Sequence, residues 1–76
     1  MISLSHAHRL TLLTRREAET LERLSEGLTI PEIAGSMRVS ESTIKTHSQH
    51  VLEKLGARDR TQATIYALQR GLAHLE

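Results

Sequence analysis

The sequence predicts an all-α fold, a four-helix bundle whose second and third helices form a central helix-turn-helix. Three observations support it: a side-chain acceptor starts each of four segments, apolar residues recur within them at helical spacing, and a glycine follows three of them. No stretch alternates apolar and polar residues, so no strand is predicted. The helices are expected at residues 15–26, 30–37, 41–55 and 60–70 or slightly beyond.

Short polar signals mark where each predicted helix begins. A capping box, in which two side chains bind each other's backbone amides, is predicted at three of the starts. The three pairs are Thr14 with Glu17, Thr29 with Glu32, and Asp59 with Gln62. Ser40 is expected to be a plain N-cap. Helix ends are predicted where a glycine can adopt a left-handed conformation, at Gly27, Gly56 and Gly71.

The segment 29–55 carries the functional signal. Apolar residues bury one side of the two helices and fill the turn: Ile33, Ala34, Met37, Val39, Ile44, Val51, Leu52 and Leu55. Polar residues form the outer face of the longer helix: Ser42, Lys45, Thr46, Gln49 and Glu53. A helix of about 15 residues is about 22 Å long and fits the DNA major groove, which is roughly 12 Å wide. Lys45 and Gln49, four residues apart, are expected to point together at base edges.

Length and composition limit the other possibilities. The 76 residues are expected to form one domain at 11–76, preceded by a flexible arm or linker at 1–10. The sequence has no cysteine, no glycine-rich phosphate loop and no carboxylate pair beside a histidine, so neither an enzyme nor a cofactor is predicted. The pair His47 and His50 lacks a third ligand, so no metal is predicted either. No long apolar run is present, which favours a cytoplasmic protein without a membrane segment.

The net charge is modest for a protein that binds nucleic acid. It is +1 at pH 7, and the isoelectric point is about 8.3, whereas nucleic-acid-binding domains commonly exceed a pI of about 9. The acidic residues Glu19, Glu22 and Glu26 are predicted to lie on one side of the first helix. Basic residues are grouped elsewhere, at Lys45, Lys54, Arg58 and Arg60 with His47 and His50 nearby. Such a dipolar domain can still present one face to DNA.

Several short motifs, in order and at fixed spacing, carry a family resemblance. They are LTRRE at 13–17, EGLT at 26–29, EIA at 32–34, VSESTIKTH at 39–47 and KLGARDR at 54–60. Together they resemble the LuxR/GerE-type DNA-binding domain, the effector class of NarL/FixJ response regulators, over residues 13–73. The resemblance implies a four-helix bundle with helix three in the major groove and helix four available for dimerisation. It also implies a transcriptional regulator, or the effector domain of one, that acts at the bacterial nucleoid.

The same resemblance assigns contacts to promoter half-sites residue by residue. Base-edge contacts fall on Lys45, Thr46 and Gln49. DNA-backbone contacts fall on Thr29, Ser42, Thr43, His47, His50 and Lys54. The chemistry of the side chains agrees, because Lys can donate to guanine, Gln can pair with adenine, and the Thr methyl can meet a thymine methyl.

The sequence departs from the family pattern at three positions. Arg15 stands where the family commonly has proline, and Gln49 stands at a position that is often charged, so the preferred operator is expected to differ. Arg38 stands where the turn usually has glycine. A non-glycine residue with positive φ costs roughly 1–2 kcal/mol, so the turn is expected to be strained or differently shaped.

Helix four is expected to have two apolar sectors. Ala63, Ala67, Leu68 and Gly71 lie on one side and can close the core, whereas Ile65 and Leu72 lie on another, flanked by Gln69. The second sector predicts a homodimer interface formed by Ile65, Gln69 and Leu72. The alternative is that Ile65 and Leu72 pack inside, against Leu10, Leu12 or Leu75.

A second function class remains open at this point. In it, the chain is a helical protein-interaction module that docks on the transcription machinery, with RNA polymerase as the candidate partner and only weak DNA affinity. The modest net charge favours this reading, whereas the polar face with Lys45 and Gln49 favours DNA.

Overall fold

The computed structural model describes residues 12–69. They form four helices: α1 Arg15–Ser25, α2 Ile30–Met37, α3 Glu41–Leu55 and α4 Arg60–Gln69. The predicted all-α fold is confirmed, and the predicted helix boundaries that fall within the described residues agree within one residue. The predicted end of the fourth helix, at 70 or slightly beyond, lies outside them. The proposed arm at 1–10 and the positions Leu10, Gly71, Leu72 and Leu75 lie outside the described residues.

Side-chain caps start the helices where the sequence placed them. The Thr14 hydroxyl accepts from the Glu17 amide at 3.1 Å, and Glu17 Oε1 accepts from the Thr14 amide at 2.9 Å. Thr29 and Glu32 form the same reciprocal box. Ser40 accepts from the amide of residue 43 as a plain N-cap. Three of the four predicted starts therefore have the expected hydrogen bonds.

The third predicted capping box is wrong in one detail. Asp59 does cap α4, because its Oδ1 accepts from the Gln62 amide at 2.9 Å. The Gln62 side chain, however, accepts from the Arg58 amide at 2.8 Å, and the expected bond to the Asp59 amide is not formed. The Gln62 side chain thus closes the turn one residue earlier than the capping box predicted.

Arg38 adopts the strained conformation, one of the two alternatives that the sequence left open. Arg38 ends α2 with φ 58° and ψ 44°, in the left-handed region, and it is the one non-glycine residue with positive φ among residues 12–69. The amide of Val39 returns to the Ala34 carbonyl at 3.1 Å, which closes the helix end. The three-residue turn between α2 and α3 therefore adopts its shape despite a side chain where glycine would fit without strain.

The core consists of two adjoining apolar clusters that share α1. One cluster joins α1, α3 and α4 through Leu21, Val51, Leu55, Ala63 and Ala67. The other joins α1, α2 and α3 through Leu24, Ile33, Ala34, Met37 and Ile44. Val39, in the turn, packs against the second cluster as predicted. Helix α3 contributes to both clusters, so one of its sides is fixed along its length and the opposite side faces outward.

Candidate nucleic-acid interface

The outer face of α3 is an exposed polar surface of the helix-turn-helix. Burial of Ile44, Val51 and Leu55, all fully inaccessible, fixes the rotation of the helix about its axis. The opposite face is exposed at every position that the sequence indicated: Ser42, Lys45, Thr46, Gln49 and Glu53. Because α3 has 15 residues, this face extends over about 22 Å.

Three side chains on this face are available to a ligand. Lys45, Thr46 and Gln49 are exposed, and within residues 12–69 none of them has a side-chain hydrogen bond or an ion pair. The trio combines an ammonium donor, a hydroxyl with a methyl group, and an amide that both donates and accepts. Spacings of three and four residues place all three on one strip of the helix surface.

The hydroxyl groups at the start of α3 are already engaged with one another. Ser40 Oγ lies 3.1 Å from Ser42 Oγ and 2.8 Å from Thr43 Oγ1. Thr29, at the start of α2, is exposed and held in its capping box. The proximity of these groups to helix N-termini gives them neighbouring backbone amides, a setting that suits an anion such as a phosphate.

The Glu17 carboxylate contacts two side chains in the C-terminal half of α3. The carboxylate, which is 5% exposed, lies 2.7 Å from Lys54 Nζ and 3.5 Å from His50 Nδ1. Lys54 also donates to the Leu12 carbonyl at 3.4 Å. Burial by itself raises the pKa of Glu17, but hydrogen bonds from Lys54 and the Thr14 amide outweigh it and hold the pKa below the usual value. Glu17 is therefore ionised, and it contacts two side chains, Lys54 and His50, that the sequence assigned to the DNA backbone.

Sequence reasoning assigned Glu17 only a capping role, because the Glu17–Lys54 contact joins residues 37 positions apart. It also grouped Arg60 with the exposed basic residues. In the structure the Arg60 guanidinium instead donates to the carbonyls of Leu24 and Leu28. Arg60 thus closes the carbonyl end of α1 and fixes the start of α4 against it. No local pattern in the sequence could have indicated either contact.

The remaining sequence-predicted positions are the two histidines of α3 and the proposed interface residues of α4. His47 is half-buried and His50 is exposed, and within residues 12–69 no group of three or more potential ligands could hold a metal ion. Ile65 is 46% exposed, whereas Leu72 and the packing partners Leu10 and Leu75 of the alternative lie outside the described residues. Gln69 is exposed as well.

Across the described part of the chain, no helix has the length and apolarity needed to cross a membrane.

The fold and this face together define a helix-turn-helix domain with an exposed polar recognition helix. Comparison with protein families matches residues 11–67 to "Bacterial regulatory proteins, luxR family". The chain therefore belongs to the luxR family. This is a family of regulatory proteins and not of enzymes, which agrees with the prediction from the sequence.

Individual relatives support the same assignment. The chain is 46% identical over 59 residues to "Uncharacterized transcriptional regulatory protein YxjL" of Bacillus subtilis, covering 78% of this chain and 27% of that protein. It is 44% identical over 61 residues to "Response regulator protein VraR" of Staphylococcus aureus, covering 80% and 29%. The chain thus spans less than a third of the length of these relatives.

A solved structure is similar over almost its full length. The fold matches "Structure of Transcription factor, GerE" with a TM-score of 0.76 and 32% sequence identity, covering 86% of this chain and 97% of that one. The predicted four-helix arrangement and the LuxR/GerE resemblance are both confirmed by this match.

Proposed function

We propose that the chain is a sequence-specific DNA-binding transcriptional regulator, or the effector domain of one, that inserts α3 into the major groove of promoter DNA in the bacterial cytoplasm. The observation that carries this proposal is the strip formed by Lys45, Thr46 and Gln49. It is exposed and has no partner within residues 12–69. It also lies on a helix whose other side is locked into both core clusters. A rigid helix with unpaired donors is what base readout requires.

Base contacts and backbone contacts have different roles in this proposal. Lys45, Thr46 and Gln49 read base edges, which specify the sequence. The residues around them contact phosphates and set the register: Thr29, Ser42, Thr43, His47, His50 and Lys54. Support for the backbone set comes from the helix N-termini near Thr29 and Ser42 and from the Lys54 ammonium and the His50 ring held near Glu17.

Binding to a DNA duplex tests the proposal against the protein-interaction alternative. The first step is to select a duplex from a random library with the wild-type chain and to compare it with a scrambled duplex by fluorescence anisotropy at rising salt. We expect one sequence to be enriched, and we expect the logarithm of the binding constant to fall linearly with the logarithm of salt concentration. Failure to enrich any sequence, together with salt-insensitive binding, would favour the module that docks on RNA polymerase.

We further propose a homodimer through α4, formed by Ile65, Gln69 and Leu72. Ile65 is one of two large hydrophobic residues exposed within 12–69, and it borders a groove shared with the end of α1. A two-fold axis would place two copies of α3 on half-sites about one DNA turn apart. One short helix buries little area, so the dimer is expected to be weak in solution and completed on DNA.

Cooperative binding to paired half-sites tests the dimer. Ile65→Glu should abolish cooperativity while leaving the circular-dichroism helix signal and single-site binding unchanged. Leu12→Ala is the control for loss of an exposed large hydrophobic side chain, because Leu12 is the other such residue, at 50%, and it lies outside α4. It should leave cooperativity unchanged without adding a charge beside Lys54. If Ile65→Glu still fills both half-sites cooperatively, the interface lies elsewhere.

A further inference from the structure

The Glu17 carboxylate has more partners than a capping residue needs. Its Oε1 accepts from the Thr14 amide at 2.9 Å and from Lys54 Nζ at 2.7 Å, and its Oε2 faces His50 Nδ1 at 3.5 Å. Glu32 has the same capping role at α2, yet it is exposed, and no ion pair to it is formed within residues 12–69. Residues 12–69 therefore contain two capping boxes of one type, and only the carboxylate of Glu17 also pairs with a lysine of α3.

Lys54 is changed by this contact in two ways. A lysine ammonium has three donors, and the contacts within residues 12–69 use two of them, to Glu17 and to the Leu12 carbonyl. The remaining donor belongs to a side chain that is 35% exposed and held at two points. In addition, the nearby carboxylate cancels most of the charge that Lys54 would present to a distant polyanion.

We infer that Glu17 is a specificity-determining positioning residue of the DNA interface. Its buried carboxylate converts Lys54 from a free cation into an oriented single donor. A free lysine on a flexible stem can follow a phosphate in almost any docking register. An oriented donor meets a phosphate only when α3 is seated correctly in the groove. Lys54 therefore favours correctly docked DNA over DNA of arbitrary sequence. This inference rests on the proposed function.

The physical basis is the difference between two kinds of phosphate binding. Non-specific affinity comes from neutralising phosphates with unpaired cations, and it is measured by the salt slope. Specificity is a difference between two affinities, and it increases when the wrong complex is weakened. By pairing with Lys54, Glu17 lowers the non-specific affinity. By fixing the ammonium, it preserves the phosphate contact in the correctly docked complex.

Glu17→Gln is the decisive variant, because an amide oxygen can still accept from the Thr14 amide while the negative charge is lost. The full chain is titrated by anisotropy with the selected duplex and with the scrambled duplex over a range of salt. We expect tighter binding to the scrambled duplex and a salt slope steeper by about 0.9, the value of one additional phosphate neutralised. We also expect the preference for the selected duplex to fall by about three- to tenfold.

Glu32→Gln is the matched control. It removes the same charge from a capping box of the same type, and it should leave the preference unchanged. The inference is overturned if both variants reduce the preference equally, since the effect would then be one of net charge. It is also overturned if Glu17→Gln weakens both duplexes in parallel with an unchanged slope, since Glu17 would then have only a structural role.

Lys54→Gln keeps the test independent of the folding of the Glu17 variant. It should weaken the selected duplex severalfold and leave the slope on the scrambled duplex nearly unchanged. A slope lower by about 0.9 would show that Lys54 acts as a free cation and would contradict the inference. Wild-type protein that binds both duplexes equally would instead reject the proposed function itself.

Discussion

The two halves of α3 hold their polar side chains in different ways. Lys45 and Gln49 are exposed and have no side-chain partner within residues 12–69. His50 and Lys54, one turn further along, are held by the carboxylate of Glu17. The first half is free to adapt to a ligand, whereas the second is fixed to α1. A count of positive charges along the helix would treat Lys45 and Lys54 as equivalent, although only Lys45 has all its donors uncommitted within residues 12–69.

The largest effect that separates the two halves should be on stability. Glu17→Ala removes a capping acceptor and leaves the half-buried Lys54 without its carboxylate, so we expect a loss of about 1–3 kcal/mol in the free energy of unfolding. Lys45→Ala removes an exposed side chain and should change this free energy by no more than about 0.5 kcal/mol. Urea denaturation measures both. Equal effects would mean that the Glu17 contacts contribute nothing to stability.

Acid should weaken the second half selectively. The pKa of Glu17 is lowered in the folded state, so its contribution to stability is fully present above the usual glutamate pKa and is lost as the pH falls through the folded value. Glu17→Gln should therefore be less stable than wild type near neutral pH, and the difference should shrink as the pH falls below the usual glutamate pKa. Urea titrations at several pH values measure it.

The control for the acid prediction is again Glu32. Hydrogen bonds from Thr29 lower the pKa of Glu32 as well, but this residue is exposed. Solvent screening should make its contribution small. A Glu32→Gln variant that loses as much acid sensitivity as Glu17→Gln would remove the contrast between the two boxes.

The smallest effect concerns the turn that orients α3. Arg38 adopts φ 58°, a conformation that costs a non-glycine residue roughly 1–2 kcal/mol. Arg38→Gly relieves this cost but adds entropy to the unfolded chain, so we expect a net stabilisation of up to about 1 kcal/mol. Arg38→Ala removes the same side chain but does not give the backbone glycine's freedom to adopt a positive φ. It should therefore not stabilise the domain. A lower melting temperature for Arg38→Gly would show that the turn is not strained.

The helices and their caps could be predicted from the sequence because they depend on neighbours. Thr14 and Glu17, or Thr29 and Glu32, lie three residues apart, so their geometry follows from one helical turn. A positive φ at Arg38 was one of two alternatives, and it followed from the family resemblance, in which glycine is usual at this position. The exposure of Lys45 and Gln49 followed from the spacing of the buried residues on α3.

Two of the contacts that the sequence did not predict join distant parts of the chain. Glu17 meets Lys54 across 37 residues, and Arg60 meets the Leu24 carbonyl across 36. Both depend on how α1 is oriented against α3 and α4, which is set by packing of the whole core. The exchange of partners at Gln62 is a smaller case, since a side chain can reach either of two adjacent amides without changing the helix.

Selection of binding sites with Lys45→Ala tests most directly the claim that the free half of α3 reads DNA bases. We expect the mutant to lose about 1–3 kcal/mol of specific binding and to relax its preference at one base pair. Arg58→Ala removes one positive charge from an exposed position outside α3, and it should weaken all sequences alike. A Lys45→Ala chain that selects the same sequences with the same stringency as wild type would contradict the claim.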